Sequence, residues 1–372
     1  MEALLQTTVL DRRRHLKAWV VVDRLVGAQA MGGIRMTAGV NPAEVAQLAR
    51  KMTLKLGLAD LPIGGAKAGI VGDLPHGAAR ADCLRAFGEA IAPLLHGGVY
   101  LGTDQGITYQ DRQLIYAAAG YDLREKPAGQ VLKCSWSELW QRCQNVTGCG
   151  VAEAADMCAQ VFDLPRAERS IVIQGFGTVG RGVARFLGER GYRIRAVADE
   201  AGTVLLDEGF DIERLIAVTN SQGLIDRSRL PQGAAAVAAP ADAWLDIDAG
   251  ILILAANSNA VTRDNVGRIK ARLVIEGANF PCTAEALEVL KKKGVVVVPD
   301  IAANCGGAAV TALVLTGKVP ALPDLDSQVA WFFNEVRSRV RRNIEKIIRY
   351  PTTDSQSLTD AAHQVASAGA MS

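Results

Sequence analysis

Apolar residues return along this chain in two rhythms. Within residues 42–59, Val45, Leu48, Ala49, Met52, Leu56 and Ala59 recur at helical spacing, so the segment predicts a helix with one apolar face. Asn41 is placed to cap it, and Pro42 suits its first turn. Residues 16–24 predict a strand from the run Trp19, Val20, Val21, Val22. A strand at 68–71, a helix near 78–95 and a strand at 98–101 follow, and helical patterns run from about 109 to 163. From residue 170 the rhythm shortens. Residues 170–174, 193–199, 251–254, 273–276 and 295–298 are near-continuous apolar runs, as expected of parallel strands buried on both faces. Helical stretches separate them, which predicts a doubly wound sheet in the second half and a separate α/β domain in the first. A loop at 317–326 with Pro320 and Pro323 leads to an amphipathic helix at 327–349, and the only low-complexity stretch is alanine-rich, at 234–242.

Composition narrows the class. A chain of 372 residues exceeds one ordinary core, so two domains are expected. The net charge of +2 leaves no footprint for nucleic acid, and the clusters Arg12–Arg14 and Arg337–Arg342 read as solvated faces. Seven cysteines occur without a Cys-x-x-Cys pair or interleaved histidines, so they read as reduced, packed thiols and no metal site is expected. The N-terminal residues lack the pattern of a signal peptide, and no apolar run approaches the roughly 20 residues of a membrane span. A soluble cytoplasmic protein without a membrane partner is expected.

Two lysines stand out. Lys55 falls on the apolar stripe of the 42–59 helix, three residues after Met52, and Lys67 sits in Ile63-Gly-Gly-Ala-Lys-Ala-Gly-Ile, expected to be a glycine-rich turn. A buried cation is costly unless an anion faces it, and burial lowers its proton affinity toward neutral pH. The pair points to a site that grips a carboxylate and moves protons.

Gly175-Phe176-Gly177-Thr178-Val179-Gly180 follows the strand at 170–174 and opens a helix at 178–189, with Asp199 ending the next strand. In that context the glycines make a phosphate-binding turn: Gly175 turns tightly, Gly177 admits the pyrophosphate and Gly180 lets helix and strand pack closely. Asp199 is placed to accept from the adenosine ribose, which favours NAD. NADP stays open, since Asp199 could turn away and a distant arginine could bind the phosphate. This makes the second domain a Rossmann domain.

The blocks Met31-Gly-Gly-Ile-Arg-Met, Met52-Thr-Leu-Lys, Leu61-Pro-Ile-Gly-Gly-Ala-Lys, Gly102-Thr-Asp-Gln-Gly-Ile-Thr, Val146-Thr-Gly-Cys-Gly-Val, Glu276-Gly-Ala-Asn and Pro299-Asp-Ile-Ala-Ala-Asn-Cys-Gly-Gly together resemble the glutamate/leucine/phenylalanine/valine dehydrogenases. The resemblance implies reversible oxidative deamination of an L-amino acid to a 2-oxo acid and ammonia, with NAD(P) taking the hydride, in a homo-oligomer. It implies that Lys55 binds the substrate α-carboxylate and that Lys67 and Asp104 are catalytic. Thr147 and Asn304 would lie by the substrate, and Asn257 and Asn279 by the cofactor. It also implies a substrate domain of residues 1–138 plus 335–372 and a dinucleotide domain of 139–334. Arg35 is open to two roles, an internal ion pair or a place near the carboxylate.

Pocket positions bear on the substrate. Glutamate-specific members of the family carry a lysine immediately before Gly-Gly-x-Arg, where this chain has Met31, and a serine where it has Thr311. Without that lysine a second buried carboxylate is uncompensated. Gly102, Ala308 and Thr311 are small or medium, which leaves room for a bulky apolar or aromatic side chain. Thr311 could meet a polar group or bond its own helix. The rival readings are a glutamate dehydrogenase with an altered pocket and a catalytically silent nucleotide-binding paralogue.

Overall fold

A computed structural model describes residues 3–72, 74, 77–123, 132–237, 242–351 and 357–371. The chain divides into two compact units, one of Met1–Trp136, Ala308–Pro323 and Ala366–Ser372, the other of Ser137–Gly307 and Asp324–Val365.

The first unit is built on a five-stranded sheet of β1 (Leu5–Asp11), β2 (Leu16–Val22), β3 (Ala30–Thr37), β4 (Gly64–Val71) and β5 (Val99–Thr103), in the order β1-β2-β4-β3-β5. β2 pairs antiparallel with β1 and β4, whereas β3 runs parallel to β4 and β5. Helices α1 (Pro42–Leu58), α2 (Ala78–His96) and α3 (Tyr109–Ala118) complete it. The cap of α1 is as expected: the Asn41 side chain accepts from the Glu44 amide at 3.0 Å. Lys55 is buried on α1, beside Leu54 and Leu56.

Four elements differ from the sequence expectations. β1 and β3 had no recognisable strand pattern, because β1 is mostly exposed and β3 carries Gly32 and Gly33 among its apolar residues. β4 begins four residues before the expected 68, so Lys67 lies inside a strand rather than in a turn. Its glycines serve close packing instead: a Cβ at Gly65 would lie 2.3 Å from the Thr53 amide nitrogen of α1, and one at Gly69 would meet Val45 at 2.6 Å. The helical stretch expected from 109 to 163 is not one element. α3 ends at Ala118, α4 spans Trp136–Arg142 and α5 spans Val146–Val161.

The second unit carries a seven-stranded sheet, β6 (Ser170–Gln174), β7 (Arg193–Asp199), β8 (Gly202–Leu205), β9 (Ala235–Val237), β10 (Ile251–Leu254), β11 (Leu273–Glu276) and β12 (Val296–Val298). Its order is β12-β11-β10-β6-β7-β8-β9, parallel except for β8 and β9. The five apolar runs are its five parallel strands, and the alanine-rich stretch supplies β9 among its described residues. Helices α6 (Thr178–Gly188), α7 (Ile212–Ala217) and α8 (Ala284–Lys292) connect strands, and α9 (Asp300–Ala303) follows β12. α10 (Gly306–Leu315) contains the boundary between the units; α11 (Leu325–Arg349) and α12 (Leu358–Met371) follow.

α11 had been expected to return to the first domain from residue 335. It belongs to the second unit, where Arg341 pairs with Glu153 of α5 and Asn343 Nδ2 donates to the Ala302 carbonyl at 3.4 Å. Only the last turns of α12 join the first unit, where a Cβ on Gly369 would stand 3.1 Å from the Gly57 carbonyl oxygen. Among the described residues no helix is long and apolar enough to cross a membrane, and no group of histidine, cysteine and acidic residues could hold a metal ion. All seven cysteines are free thiols, six of them buried.

Candidate active site

Strand periodicity puts every second residue of β3, β4 and β5 on one face of the first sheet. The registers Met31↔Gly65, Met31↔Tyr100, Gly33↔Gly102 and Arg35↔Gly69 align them in three rows. The rows are Gly65, Met31, Tyr100; Lys67, Gly33, Gly102; and Gly69, Arg35 with Asp104 just past the end of β5. Four of these nine positions are glycine, so the face is hollow around Lys67. This is the face on which α1 packs, since the Cβ positions of Gly65 and Gly69 point at it.

Lys67 Nζ spans the hollow to Asp104 Oδ2 and pairs with it. Gly33 makes the crossing possible: a Cβ there would stand 3.0 Å from Asp104 Cβ and 3.4 Å from Lys67 Nζ. Both partners are enclosed, with side-chain exposures of 8% and 20%. Burial pulls the Lys67 ammonium below its ordinary pKa, because Asp104 offsets only part of the desolvation. Burial alone would raise the Asp104 carboxyl, but Lys67 and then Arg35 outweigh it and hold it below the usual carboxylate range. The result is a fixed carboxylate facing an amine that gives up its proton more readily than a free lysine. That is equipment for proton exchange.

Arg35 resolves to an internal ion pair that also serves the site. Its guanidinium donates to Glu44 Oε1 at 2.6 Å, and its Nε stands 3.6 Å from Asp104 Oδ2. Charges therefore alternate from Glu44 through Arg35 and Asp104 to Lys67. Lys55 and Met31, both buried, come from α1 and β3 of the same unit. Ala308 and Thr311 lie on α10, three residues apart, with Thr311 buried.

Sequence reasoning passed over Tyr100 and Arg112. The small residue at Gly102 was expected to leave space, yet the Tyr100 ring fills part of it: a Cβ at Gly102 would stand 3.1 Å from Tyr100 Cε1 and 3.2 Å from its hydroxyl. Arg112 Nη1 donates to that hydroxyl at 3.0 Å. The missed signal was spacing, since Tyr109, Arg112 and Tyr116 share one face of α3.

In the second unit the glycine motif occupies the switch point of the sheet, where β7 leaves one side of β6 and β10 the other. Gly175 has φ +94°, and a Cβ on it would collide with Ala256 Cβ at 2.6 Å; Gly180 approaches the Gly175 carbonyl so closely that its Cβ would stand 2.0 Å away. A Cβ on Gly177 would meet nothing within 4 Å, and no side chain caps the N-terminus of α6. Open backbone amides there fit a dinucleotide pyrophosphate. Phe176 is buried and anchors the turn; Thr178 is exposed and Val179 half-buried at the helix start. Asn257, exposed, follows β10, and Asn279, half-buried, follows β11, so both lie at carboxyl ends of strands. Asn304 is buried beside them, with Nδ2 donating to the Gly277 and Ala278 carbonyls at 3.1 and 3.2 Å and Oδ1 left without a partner. Thr147 is committed to structure, accepting from the Gly307 amide at 3.0 Å.

Asp199 is not presented as the ribose acceptor anticipated from its position. Its side chain is only 3% exposed, and both oxygens are taken. Oδ2 accepts from the Ile225 amide at 2.8 Å and from Arg227 Nη1 at 2.5 Å; Oδ1 accepts from the Ala201 amide at 2.9 Å and from Arg227 Nη2. Burial pushes its carboxyl up, but Arg227 and the two amides hold it below the usual range. Sequence could not show this, because Arg227 is 28 residues away.

An enclosed lysine–carboxylate pair in one unit and a doubly wound nucleotide sheet in the other define a dinucleotide-dependent dehydrogenase with a separate substrate domain. Comparison with known proteins specifies it. Residues 141–370 match the Glutamate/Leucine/Phenylalanine/Valine dehydrogenase family, and residues 5–118 match the Glu/Leu/Phe/Val dehydrogenase dimerisation domain. The chain belongs to this family of amino acid dehydrogenases.

Among curated relatives, the NADP-specific glutamate dehydrogenase of Saccharolobus shibatae is 35% identical over 284 residues, 74% of this chain and 65% of that protein. Glutamate dehydrogenase A2 of Halobacterium salinarum is 31% identical over 350 residues, 90% of this chain and 80% of its own length. Among solved structures, the hetero-hexameric glutamate dehydrogenase from Thermus thermophilus in its Leu-bound form superposes with a TM-score of 0.78 at 24% identity, covering 98% of this chain and 87% of that one. That likeness confirms the fold.

Proposed function

We propose that the protein catalyses the reversible oxidative deamination of an L-amino acid to its 2-oxo acid and ammonia, with NAD or NADP as hydride carrier. The observation that carries this reading is the buried Lys67–Asp104 pair over a glycine-lined floor. The bound dinucleotide would accept the hydride from the substrate Cα; the remaining steps fall to this chain. Lys55 holds the α-carboxylate. Asp104 takes the proton from the substrate ammonium, so that the amine lone pair is available as the hydride leaves. Lys67, with its lowered proton affinity, orients the water that attacks the resulting imine carbon and stabilises charge growing on its oxygen. Asn304, with its open Oδ1, is a candidate acceptor for the substrate amino group.

Glutamate is the substrate that the relatives favour. A large apolar amino acid is the second reading, favoured by Met31 in the place of a lysine. NADH or NADPH consumption with ammonia and a panel of 2-oxo acids tests both. Turnover of 2-oxoglutarate above the apolar oxo acids supports the first, and the reverse order the second. Cofactor binding without turnover of any oxo acid would leave a silent nucleotide-binding protein. The dimerisation-domain match supports an oligomer, which we take to be of identical chains, and the free thiols suit a cytoplasmic setting.

The Asp199–Arg227 pair bears on the cofactor. A carboxylate already neutralised by a guanidinium repels a 2′-phosphate weakly, so the protein is expected to take NADP as well as NAD. Arg227→Ala leaves the acid bare and should weaken NADP binding relative to NAD by about tenfold. Titration of tryptophan fluorescence with each cofactor measures the ratio, and an unmoved ratio refutes the assignment.

A further inference from the structure

Phe280 combines an exposed ring with a strained backbone. Among the described residues it is the one exposed aromatic side chain, at 38%. Its backbone is left-handed, with φ +51°. A bulky residue is strained there, whereas glycine would adopt the same conformation freely. The surroundings hold Phe280 in place nonetheless. Asp300 Oδ2 accepts from the Phe280 amide at 2.9 Å, and the Phe280 carbonyl accepts from the Asn259 amide at 2.8 Å. Asp300 is itself buried, and its own amide donates to the buried Glu276 carboxylate at 3.1 Å. The Pro281 carbonyl, one residue on, accepts from the Val261 amide at 2.9 Å. The chain therefore fixes an aromatic ring at the surface against its own backbone preference.

Location gives the ring a use. Phe280 lies just past the carboxyl end of β11, next to Asn279. Its loop is joined to the one after β10, since the Ser258 hydroxyl donates to the Asn279 carbonyl at 2.9 Å. That second loop touches the glycine turn: the Ala256 amide donates to Gln174 Oε1 at 3.3 Å, and a Cβ on Gly175 would meet Ala256 Cβ at 2.6 Å. All these residues belong to the second unit. A dinucleotide with its pyrophosphate at Gly177 lies across the switch point, its adenosine half toward β7 and its nicotinamide half toward β10 and β11. Phe280 is on the nicotinamide side. The two oxidation states of the cofactor differ in that half: the oxidised ring is a flat aromatic cation, and the reduced ring is neutral and no longer aromatic. A benzene ring attracts a cation and stacks on an aromatic partner, so it discriminates between them.

We propose that the Phe280 ring is the surface on which the oxidised nicotinamide stacks, and that it binds the pyridinium more tightly than the reduced ring. The inference rests on the dinucleotide reading of the second unit and adds to it a residue that reads the cofactor's oxidation state. The loop that carries the ring is gripped at both ends by α9 and the residue that follows it. Asn304 Nδ2 holds the Gly277 and Ala278 carbonyls, and Asp300 holds the Phe280 amide. A platform fixed in this way loses little freedom when the cofactor arrives.

Calorimetric titration tests this with the oxidised cofactor, the reduced cofactor and the ADP-ribose fragment that lacks nicotinamide. The plain or the 2′-phosphorylated series is used, according to which cofactor the wild type binds more tightly. Phe280→Leu keeps an apolar side chain and removes the π face. It should weaken the oxidised cofactor by about fivefold, lower the ratio of oxidised to reduced affinity by about threefold and leave the ADP-ribose fragment unchanged. Phe280→Tyr, which keeps a ring, should bind as the wild type does. Glycine accepts this backbone without strain, so Phe280→Gly serves if Phe280→Leu does not fold. A structural role would weaken all three ligands alike. That result, or an unmoved ratio of oxidised to reduced affinity, overturns the proposal and leaves the dinucleotide reading standing. A wild type that binds none of the three removes both.

Discussion

Replacing Lys67 with alanine is expected to lower kcat for deamination by about three orders of magnitude or more while leaving the fold intact. The amine is enclosed and paired with Asp104, so no solvent lysine can stand in for it. On the proposed mechanism, its removal takes away both the oriented donor for the attacking water and the positive charge facing the developing oxyanion. The fold should survive because the amine is poorly solvated where it sits: desolvation already pulls its pKa down, and Arg35 remains 3.6 Å from Asp104 to partner the carboxylate. Thermal melting and steady-state kinetics on one preparation separate the two quantities. Turnover within about tenfold of wild type would falsify the catalytic assignment.

Lys55 provides the contrast. It is buried on α1 and is expected to bind rather than to react, so its loss should appear chiefly in KM. The two lysines come from different elements of the same unit, Lys55 from a helix and Lys67 from a central strand. That arrangement explains why the strand needs glycines. Gly65 and Gly69 let α1 settle close to β4, and Gly33 clears the path from Lys67 to Asp104. A larger residue at any of these points would move the helix or break the pair.

The second unit was largely legible in the sequence because its strands are buried on both faces and stand out as continuous apolar runs between helices. The first unit was legible in its charges more than in its elements. Lys55 and Lys67 were conspicuous as cations in apolar surroundings, but the strand holding Lys67 was hidden by the glycines that make the site. β3 was hidden in the same way. The partners of known residues were also out of reach: Arg227 for Asp199, and Arg112 for Tyr100, depend on how distant segments meet. Volume arguments from single positions failed for a related reason. Gly102 is small, but the neighbouring Tyr100 ring takes up the space it leaves.

Asp104→Asn should reduce kcat by about a hundred- to ten-thousand-fold, since an amide neither takes the amine proton nor charges the pair. Its stability signature is separate and has a definite sign. The wild-type carboxyl is held below its ordinary value of 3.8: burial opposes ionisation, but Lys67 and Arg35 prevail. A group with a depressed folded pKa contributes stability that is fully present above the unfolded value and is lost as pH falls through the folded one. The melting-temperature gap between wild type and Asp104→Asn should therefore be full at neutral pH and should shrink below about pH 4. Lys67 acts in the opposite sense, because its burial costs stability until pH rises toward the free-lysine value of 10.5. In the variant Lys67 loses its partner and its pKa should drop further, shifting the alkaline limb of whatever activity remains to lower pH. A gap in melting temperature that stays constant down to pH 2 would mean that Asp104 is not ionised against Lys67 in the folded protein. The proton-exchange role assigned to the pair would then have no basis.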